Sequence, residues 1–458
     1  MYQIDFNKPV KIHFMGIGGI SMSGLAEILN AKGFTIVGSD AHESAITSHL
    51  ESLGIRIAYG QRAENITPDI DLVVYTAAIH PDNPEFAAAR DAGLPMMDRA
   101  ELLGQIMKNY ANAIAVSGTH GKTTTTSMLS HILLAADTDP TISVGGILKA
   151  IHGNIRVGHS DNFITEACEY TNSFLKFNPS LELILNIEED HLDFFKDISD
   201  IRHSFRQFAE KLDANGTLVI NGEIERLEEI TSGLPCNVIT YGLNGDYDYT
   251  AANITFDEFA KGSFDLVIDG NITDHIQLNV AGIHNVSNAL AAIAAAGELH
   301  IPMETIKSGL MAFEGTDRRF EYKGQFNGIT VIDDYAHHPT EIAATLTAAQ
   351  KYPHNQIWCV FQPHTYTRTK AFLHEFAQAL ALADKIVLAD IYAAREKDPG
   401  DIHSRDIQKL LLDAGKEAYY FPSFAEIEKF LSEKCINGDL LITMGAGDVV
   451  LVGESLIQ

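Results

Sequence analysis

The residues with the most evident chemistry are Val116-Ser117-Gly118-Thr119-His120-Gly121-Lys122-Thr123, set between the apolar stretch Ala113–Ser117 and a helical stretch reaching Ala135. Glycines in such a loop let backbone N–H groups turn inward around phosphate oxygens, and the helix start adds partial positive charge. A lysine at the next position neutralises β- and γ-phosphate oxygens, and the hydroxyl after it binds Mg²⁺. Those roles fall on Lys122 and Thr123. The common form of the motif has a glycine where Val116 stands, so this is the shorter G-x-x-G-K-T version. Glu166 ends a later apolar strand, and His191 follows another within Asn186-Ile187-Glu188-Glu189-Asp190-His191-Leu192-Asp193. Polar groups at strand carboxyl ends of an open α/β sheet face its ligand crevice. Thr123, Glu166 and His191 are therefore candidates for a shared Mg²⁺ site, with histidine an unusual ligand for so hard a cation. Glu169 competes with Glu166 for that role, and a solvated acidic loop accounts for the second stretch equally well.

Gly16-Ile17-Gly18-Gly19-Ile20-Ser21-Met22-Ser23-Gly24 follows the first strand, and Gly38-Ser39-Asp40 follows the second. This is close to a dinucleotide fingerprint with its ribose-binding acid, but the third glycine comes late. A pyrophosphate belonging to NAD or to a nucleotide-sugar suits it, as does a purely structural turn. Near the other end, Asp333-Asp334-Tyr335-Ala336-His337-His338-Pro339-Thr340-Glu341 and Gln362-Pro363-His364-Thr365-Tyr366-Thr367-Arg368 each follow a strand. Arg368 can hold a carboxylate bidentately, and His337 or His338 can orient a substrate or hold a proton. Ordinary polarity at a helix start explains either histidine as well. Arg318-Arg319 can reach a nucleotide across a domain boundary or form a plain surface pair.

The elements that must carry these groups repeat one pattern, strand, glycine turn, helix. Lys11–Met15, Phe34–Gly38, Ile55–Ala58 and Asp71–Thr76 read as strands of a first sheet. Ala113–Ser117, Asn162–Glu166 and Leu181–Leu185 belong to a second. Tyr247 to Leu278 alternates like β-hairpins, and His284–Glu298 is an alanine-rich helix. Ile329–Ile332, Ile357–Phe361, Lys385–Ala389 and Leu440–Thr443 make a third sheet. The alternation predicts an α/β protein of three units with mostly parallel sheets, divided at 1–109, 110–316 and 317–458. The 458 residues are 46% hydrophobic and 21% charged, a balance that folds. A net charge of −28 repels polyanions and argues against nucleic acid as a partner. Cys168, Cys236, Cys359 and Cys435 are far apart, as in a reduced cytosolic protein rather than a disulfide framework or zinc site. Met1 to Pro9 has no long apolar stretch of the signal-peptide kind, and no run suits a bilayer, so a cytoplasmic location is expected.

Gly16 to Gly19, Gly118 to Thr123, Asn186 to His191, Gly282-Ile283-His284-Asn285-Val286-Ser287-Asn288, Gly315 to Phe320 and Asp333 to Glu341 occur in the order found in the Mur ligases of bacterial peptidoglycan synthesis. The chain resembles that family over essentially its whole length. The resemblance implies a Rossmann-like N-terminal domain for a UDP-substrate, a central P-loop ATPase domain and a Rossmann-like C-terminal domain for the incoming amino acid. It implies ATP and Mg²⁺, with Gly118, Thr119, His120, Gly121, Lys122, Thr123, Thr124, Asn285, Asn288 and Arg319 about the nucleotide. Thr123, Glu166 and His191 would hold the metal, and Lys122, Glu166, His191 and Asp334 would carry the catalysis. Gly18, Gly19, Ser21 and Asp40 would bind the UDP-substrate, and Tyr335, His337 and Arg368 the amino acid. Members often have arginine where this chain has Thr365, which leaves carboxylate recognition to Arg368. Siblings that add glutamate, diaminopimelate or a dipeptide carry a metal-site lysine after the histidine, whereas here the stretch reads Ile201-Arg202-His203-Ser204-Phe205-Arg206. That favours the branch that adds L-alanine to UDP-N-acetylmuramate through an acyl phosphate, as a monomer or homodimer. Attachment of another amino acid or of a recycled tripeptide is the alternative within the family. A nicotinamide-dependent oxidoreductase is the alternative outside it, and it would leave Gly118–Thr123 idle.

Overall fold

The computed structural model describes residues 2–76, 78–394 and 396–458. Its strands form three sheets, each from one continuous part of the chain. The first has five parallel strands, with Lys11–Met15 at the centre between Thr35–Asp40 and Leu72–Tyr75, and Arg56–Tyr59 and Met96–Asp98 at the edges. The second has ten strands. Asn112–Ser117 lies inside it, between Asn162–Ala167 and Leu181–Ile184, and parallel to both. Its inner residues Ile114, Ala115 and Val116 have no exposed surface, as expected of a parallel strand covered on both faces. One end of this sheet is the antiparallel meander Tyr249–Phe256, Lys261–Ile268 and Asn271–Ala281. The third sheet has six strands, all parallel except Glu321–Phe326.

Alanine keeps its helix propensity where a helix must sit close to a sheet, and Ile283–Glu298 shows why that matters here. Ala289 through Ala296 are all fully buried, so neighbours cover this helix on every side. The helix after the phosphate loop, Lys122–Ala135, packs on Met303–Ala312, where Gly309 lies against the backbone of Ile132.

Central strands come within one or two residues of their sequence-based bounds. The edge strand Arg56–Tyr59 answers to Ile55–Ala58, whereas other edge or short strands have no counterpart in the sequence reading, among them Met96–Asp98, Gly153–Arg156, Glu321–Phe326 and Glu417–Tyr420. An edge strand is solvated along one side and needs no apolar pattern. Thr217–Asn221 and Asn237–Gly242 were missed for another reason, since a short apolar run does not separate strand from buried helix by periodicity.

The first and second sheets share one apolar cluster, in which Leu102, Leu103 and Ile106 join Phe163, Phe174 and Phe177. An ion pair between Lys176 and Asp98 closes its edge. The third unit meets the second through a small patch, Ala260, Ala281 and Ala348 with Phe320 against it, and through polar contacts around the phosphate loop. Among the described residues no helix is long and apolar enough to cross a membrane.

Candidate active site

Register builds the central site. Ser117 pairs with Ala167 on one side and Ile184 on the other, so three strands end level. That brings Gly118–Thr123, Glu166–Glu169 and Asn186–His191 side by side. Gly121 caps the helix at φ 83°, in the left-handed region that favours glycine, and a Cβ there would lie 2.7 Å from the Asn288 Oδ1. The Asn186 side chain clamps the loop, accepting from the His120 N–H at 2.7 Å and donating to the His120 carbonyl at 3.0 Å.

Lys122 folds back over the loop. Its Nζ donates to the carbonyls of Gly118 (2.5 Å) and Thr119 (3.1 Å) and to Glu169 Oε2 (3.1 Å). Burial opposes its charge, but Glu169 and, further down, Glu166 outweigh that effect and hold the ammonium above the ordinary lysine range. Thr123 Oγ1 donates to Glu166 Oε2 at 3.0 Å, and Glu166 Oε1 accepts from the Gly145 N–H at 2.5 Å. The two glutamates that spacing left open thus differ: Glu166 sits on Thr123, and Glu169 pairs with Lys122. The His191 ring faces Glu169, at 3.7 Å, and stacks on Tyr170 at 4.5 Å between centroids. Burial lowers its pKa below the ordinary imidazole value, and Arg368 and Lys122 add to that, against the opposing pull of Asp190 and Glu169. A hydroxyl and a carboxylate in contact form a hard oxygen donor set that fits Mg²⁺.

A cavity of about 730 Å³ opens beside the loop. The central unit lines it with His120, Gly121, Thr124, Asn285 and Asn288, and the third unit with Arg319, Asp334 and Glu341. Asn288 donates to the Asn285 side chain at 3.0 Å, and Asn285 to the Ala281 carbonyl at 2.7 Å. The two arginines that position alone left equal also part here, with Arg319, the one the resemblance implied, on the cavity side. Arg318 is spent within its own unit, on Asp333 (2.9 Å) and the carbonyls of Gly445 (2.7 Å) and Gly447 (3.0 Å). Arg319 faces the cavity, 3.7 Å from Glu341 and over the Tyr335 ring. Burial raises Asp334 to about 6, and its carboxylate accepts from the N–H groups of Phe320 and Ala336 and from the Thr345 hydroxyl.

The third sheet repeats the register device, with Asp334, Phe361 and Met444 level at its carboxyl edge. Tyr335, His337 and His364 stack edge to face there. Burial drives the His337 imidazole down to about 4, and its Nδ1–H donates to the Tyr335 carbonyl at 3.0 Å. Arg368 lies close by, but its fork is taken: Nη2 and Nε donate to the same Asp190 oxygen at 2.8 and 3.1 Å, across the units. Burial works against the Asp190 charge, yet Arg368 and His191 hold its carboxyl far below the carboxylate range. Sequence reading quoted Asp190, Asn186 and Glu341 without a role. The one signal available was Pro339 with Glu341 two residues on, the start of a capped helix in which Glu341 accepts from the N–H groups of His337 and His338.

The first sheet holds Gly18, Gly19, Ser21 and Asp40 together at its own carboxyl edge, away from the cavity lining. Asp40 Oδ2 accepts from the Gly18 N–H and Oδ1 from the Ala41 N–H, both at 2.8 Å. The acid expected to meet a ribose therefore braces the glycine turn.

An α/β enzyme of three units, with a phosphate loop in the middle one and a cleft closed by the third, is what this geometry describes. The chain belongs to the Mur ligase family. Residues 11–111 match the model for the Mur ligase family catalytic domain, 116–296 the Mur ligase middle domain and 318–447 the Mur ligase glutamate ligase domain. It is 65% identical to the UDP-N-acetylmuramate–L-alanine ligase of Agathobacter rectalis over all of both chains. It is 53% identical to that of Acetivibrio thermocellus, over 99% of this chain and 97% of the relative. Among solved structures, the UDP-N-acetylmuramate-alanine ligase of Thermotoga maritima is 32% identical with a TM-score of 0.79, covering 98% of each chain. A murein peptide ligase from Psychrobacter arcticus is 26% identical at a TM-score of 0.69, again over 98% of each.

Proposed function

We propose that this chain joins L-alanine to the carboxylate of UDP-N-acetylmuramate, converting ATP to ADP and phosphate, in peptidoglycan precursor synthesis. A carboxylate cannot expel oxide at neutral pH, so it must first be activated. A muramyl carboxylate oxygen attacks the γ-phosphorus, the bond to the β–γ bridging oxygen breaks, and ADP leaves. The alanine amine, having lost a proton from its ammonium form, then attacks the acyl carbon, and the carbon–oxygen bond to phosphate breaks.

The chain's part is positioning and charge. Lys122 sits at the loop mouth, where β- and γ-oxygens would displace its carbonyl partners. Thr123 and Glu166 would hold Mg²⁺, with Glu169 and His191 beside them. When bound, that ion would offset the negative charge of the phosphates. Asn285, Asn288, His120 and Thr124 would contact the nucleotide from one wall, Arg319 and Asp334 from the other. The uncharged His337, with Tyr335, would bound the amino-acid pocket without repelling an ammonium group. Arg368 would meet the alanine carboxylate on leaving Asp190. Gly18, Gly19 and Ser21 would take the diphosphate of the UDP-sugar, with Asp40 bracing the turn. Units of 1–109, 110–316 and 317–458 would divide these tasks, in the cytoplasm where ATP is made available.

The observation that carries this reading is the convergence of the Lys122 loop with Arg319 and Asp334 on one cavity, in a chain 53–65% identical over its length to alanine-adding relatives. Phosphate release measured across L-alanine, L-serine, glycine and a tripeptide tests it. Release should require both UDP-N-acetylmuramate and L-alanine; equal release with the tripeptide would overturn the assignment.

A further inference from the structure

At the phosphate loop, on the seam between the second and third units, His120 meets two side chains, Glu188 and His338, to which the reaction above gives no part. We propose that His120, Glu188 and His338 form a binding site for a borderline-soft divalent cation of the Zn²⁺ type, separate from the Mg²⁺ position at Thr123 and Glu166. One ligand atom from each of the three lies within 4.8 Å of the others. They come from three distant segments: the loop itself, the strand-end turn after Leu181–Ile184, and the start of the helix Pro339–Ala349.

Four features make this more than a cluster of polar groups. The His120 Nε2 is buried with no hydrogen-bond partner among the described residues, and it points at Glu188 Oε2 from 3.6 Å. Its other nitrogen, Nδ1, lies 3.2 Å from Glu341 Oε1, the carboxylate–imidazole support that metal-bound histidines usually have. His338 is oriented in the same way, since its Nε2–H donates to the Glu189 carbonyl at 3.0 Å, and its Nδ1 accepts only the long bond from the Thr340 N–H at 3.4 Å, which a cation would replace. Glu188 Oε2 is held by the Thr340 hydroxyl at 2.7 Å. Each of the three ligands is thus fixed by a partner of its own.

Donor chemistry selects the ion. Two imidazoles and one carboxylate suit Zn²⁺, Co²⁺ or Ni²⁺, whereas Mg²⁺ prefers oxygen. Zinc–nitrogen bonds of about 2.0–2.1 Å put tetrahedral ligand atoms about 3.3 Å apart, so side-chain shifts must draw the ligand atoms together by up to about 1.5 Å. Binding displaces the proton on His120 Nε2 to solvent. Entry is open, because Glu188 and His338 also line a second groove of about 600 Å³ on the outer side of the seam. Water from that groove completes four-coordination. The bound ion would pin the phosphate loop to the third unit.

The test is a Co²⁺ titration of the full chain, stripped with chelator and kept in excess Mg²⁺ so that the oxygen site is filled. The strong visible bands of four-coordinate cobalt should appear, saturate at one ion per chain and vanish when Zn²⁺ is added. Glu188→Gln and His338→Gln should each weaken Co²⁺ at least tenfold, with metal-free melting temperatures reported alongside. Only the weak spectrum of six-coordinate cobalt in the parent chain would overturn the site. So would strong bands that persist unchanged in either variant that folds.

Discussion

Two glycine turns in this molecule start from the same local design and end with opposite electrostatics. Gly16–Gly19 and Gly118–Gly121 each link a buried central strand to a helix at the carboxyl edge of a parallel sheet. In the first, a carboxylate of the protein occupies the turn: Asp40 takes the Gly18 N–H, and the helix start at Ile20 and Ser21 lies open to solvent. In the second, an ammonium fills the mouth, backed by Glu169 and walled by Asn186. A turn whose amide is already paired with an acid offers orientation to a ligand, while a turn holding a buried cation offers charge. Glycine spacing by itself does not distinguish them.

Lys122→Ala should break the second turn most severely. Phosphate release should fall by roughly 10³-fold or more, since both phosphate charge and loop geometry depend on that ammonium. Glu169 is only 2% exposed and would lose its partner, so the melting temperature should be followed as well. A double variant with Glu169→Gln should recover stability without recovering turnover. If Lys122→Ala alone retains near-parental release, the loop has no part in the chemistry.

Gly121→Ala adds a Cβ at positive φ, against Asn288. The strain is worth about 1–3 kcal/mol, and nucleotide affinity measured by calorimetry should fall roughly tenfold to a hundredfold. Unchanged affinity would mean that the loop tolerates a different path.

The charges around the second turn also give it a pH signature. Burial lowers the His284 imidazole to about 4 from an ordinary 6.5, with Arg319 adding to the effect. A depressed pKa contributes stability that is present above 6.5 and lost as pH falls towards 4. His120 runs the other way. Burial opposes its charge, but Glu341 and Glu188 raise it to about 9, so its contribution is full below 6.5 and lost as pH rises through 9. Thermal melts across pH should decline on both sides, by about 1–3 kcal/mol on the acid arm. His284→Gln should flatten that arm, and an unaltered acid arm would assign the loss to other groups.

The mildest effect is expected at the first turn. Asp40→Asn keeps one acceptor for the Gly18 N–H but removes the charge. Phosphate release should retain its maximum rate, with the KM for the UDP-sugar changing by a few-fold and the KM for ATP unmoved. A shift in the ATP value would contradict the separation of the two turns.

The central strands and the loop were legible because each is a local statement. A run such as Ala113-Ile114-Ala115-Val116 can only be buried, and the glycines and lysine after it can only be a tight turn with a cation. The edge strand Glu321–Phe326 was not, because solvent along one side removes the pattern. Asn186, Asp190 and Glu341 lie in motifs that give them no role, because their partners His120 and Arg368 are 66 and 178 residues away for the first two, and Glu341 meets His120 only across the cleft and Arg319 only within the folded third unit.

Sequence alone determined the three α/β units, the phosphate loop and the family, since backbone conformation and burial pattern are written in neighbouring residues. Tertiary structure decided which of Glu166 and Glu169 meets Thr123, which of Arg318 and Arg319 faces the cavity, and that Arg368 rests on Asp190. Each of those choices depends on strand register and on how the second and third units meet. Spacing along the chain carries no information about the distance between side chains brought together from separate strands.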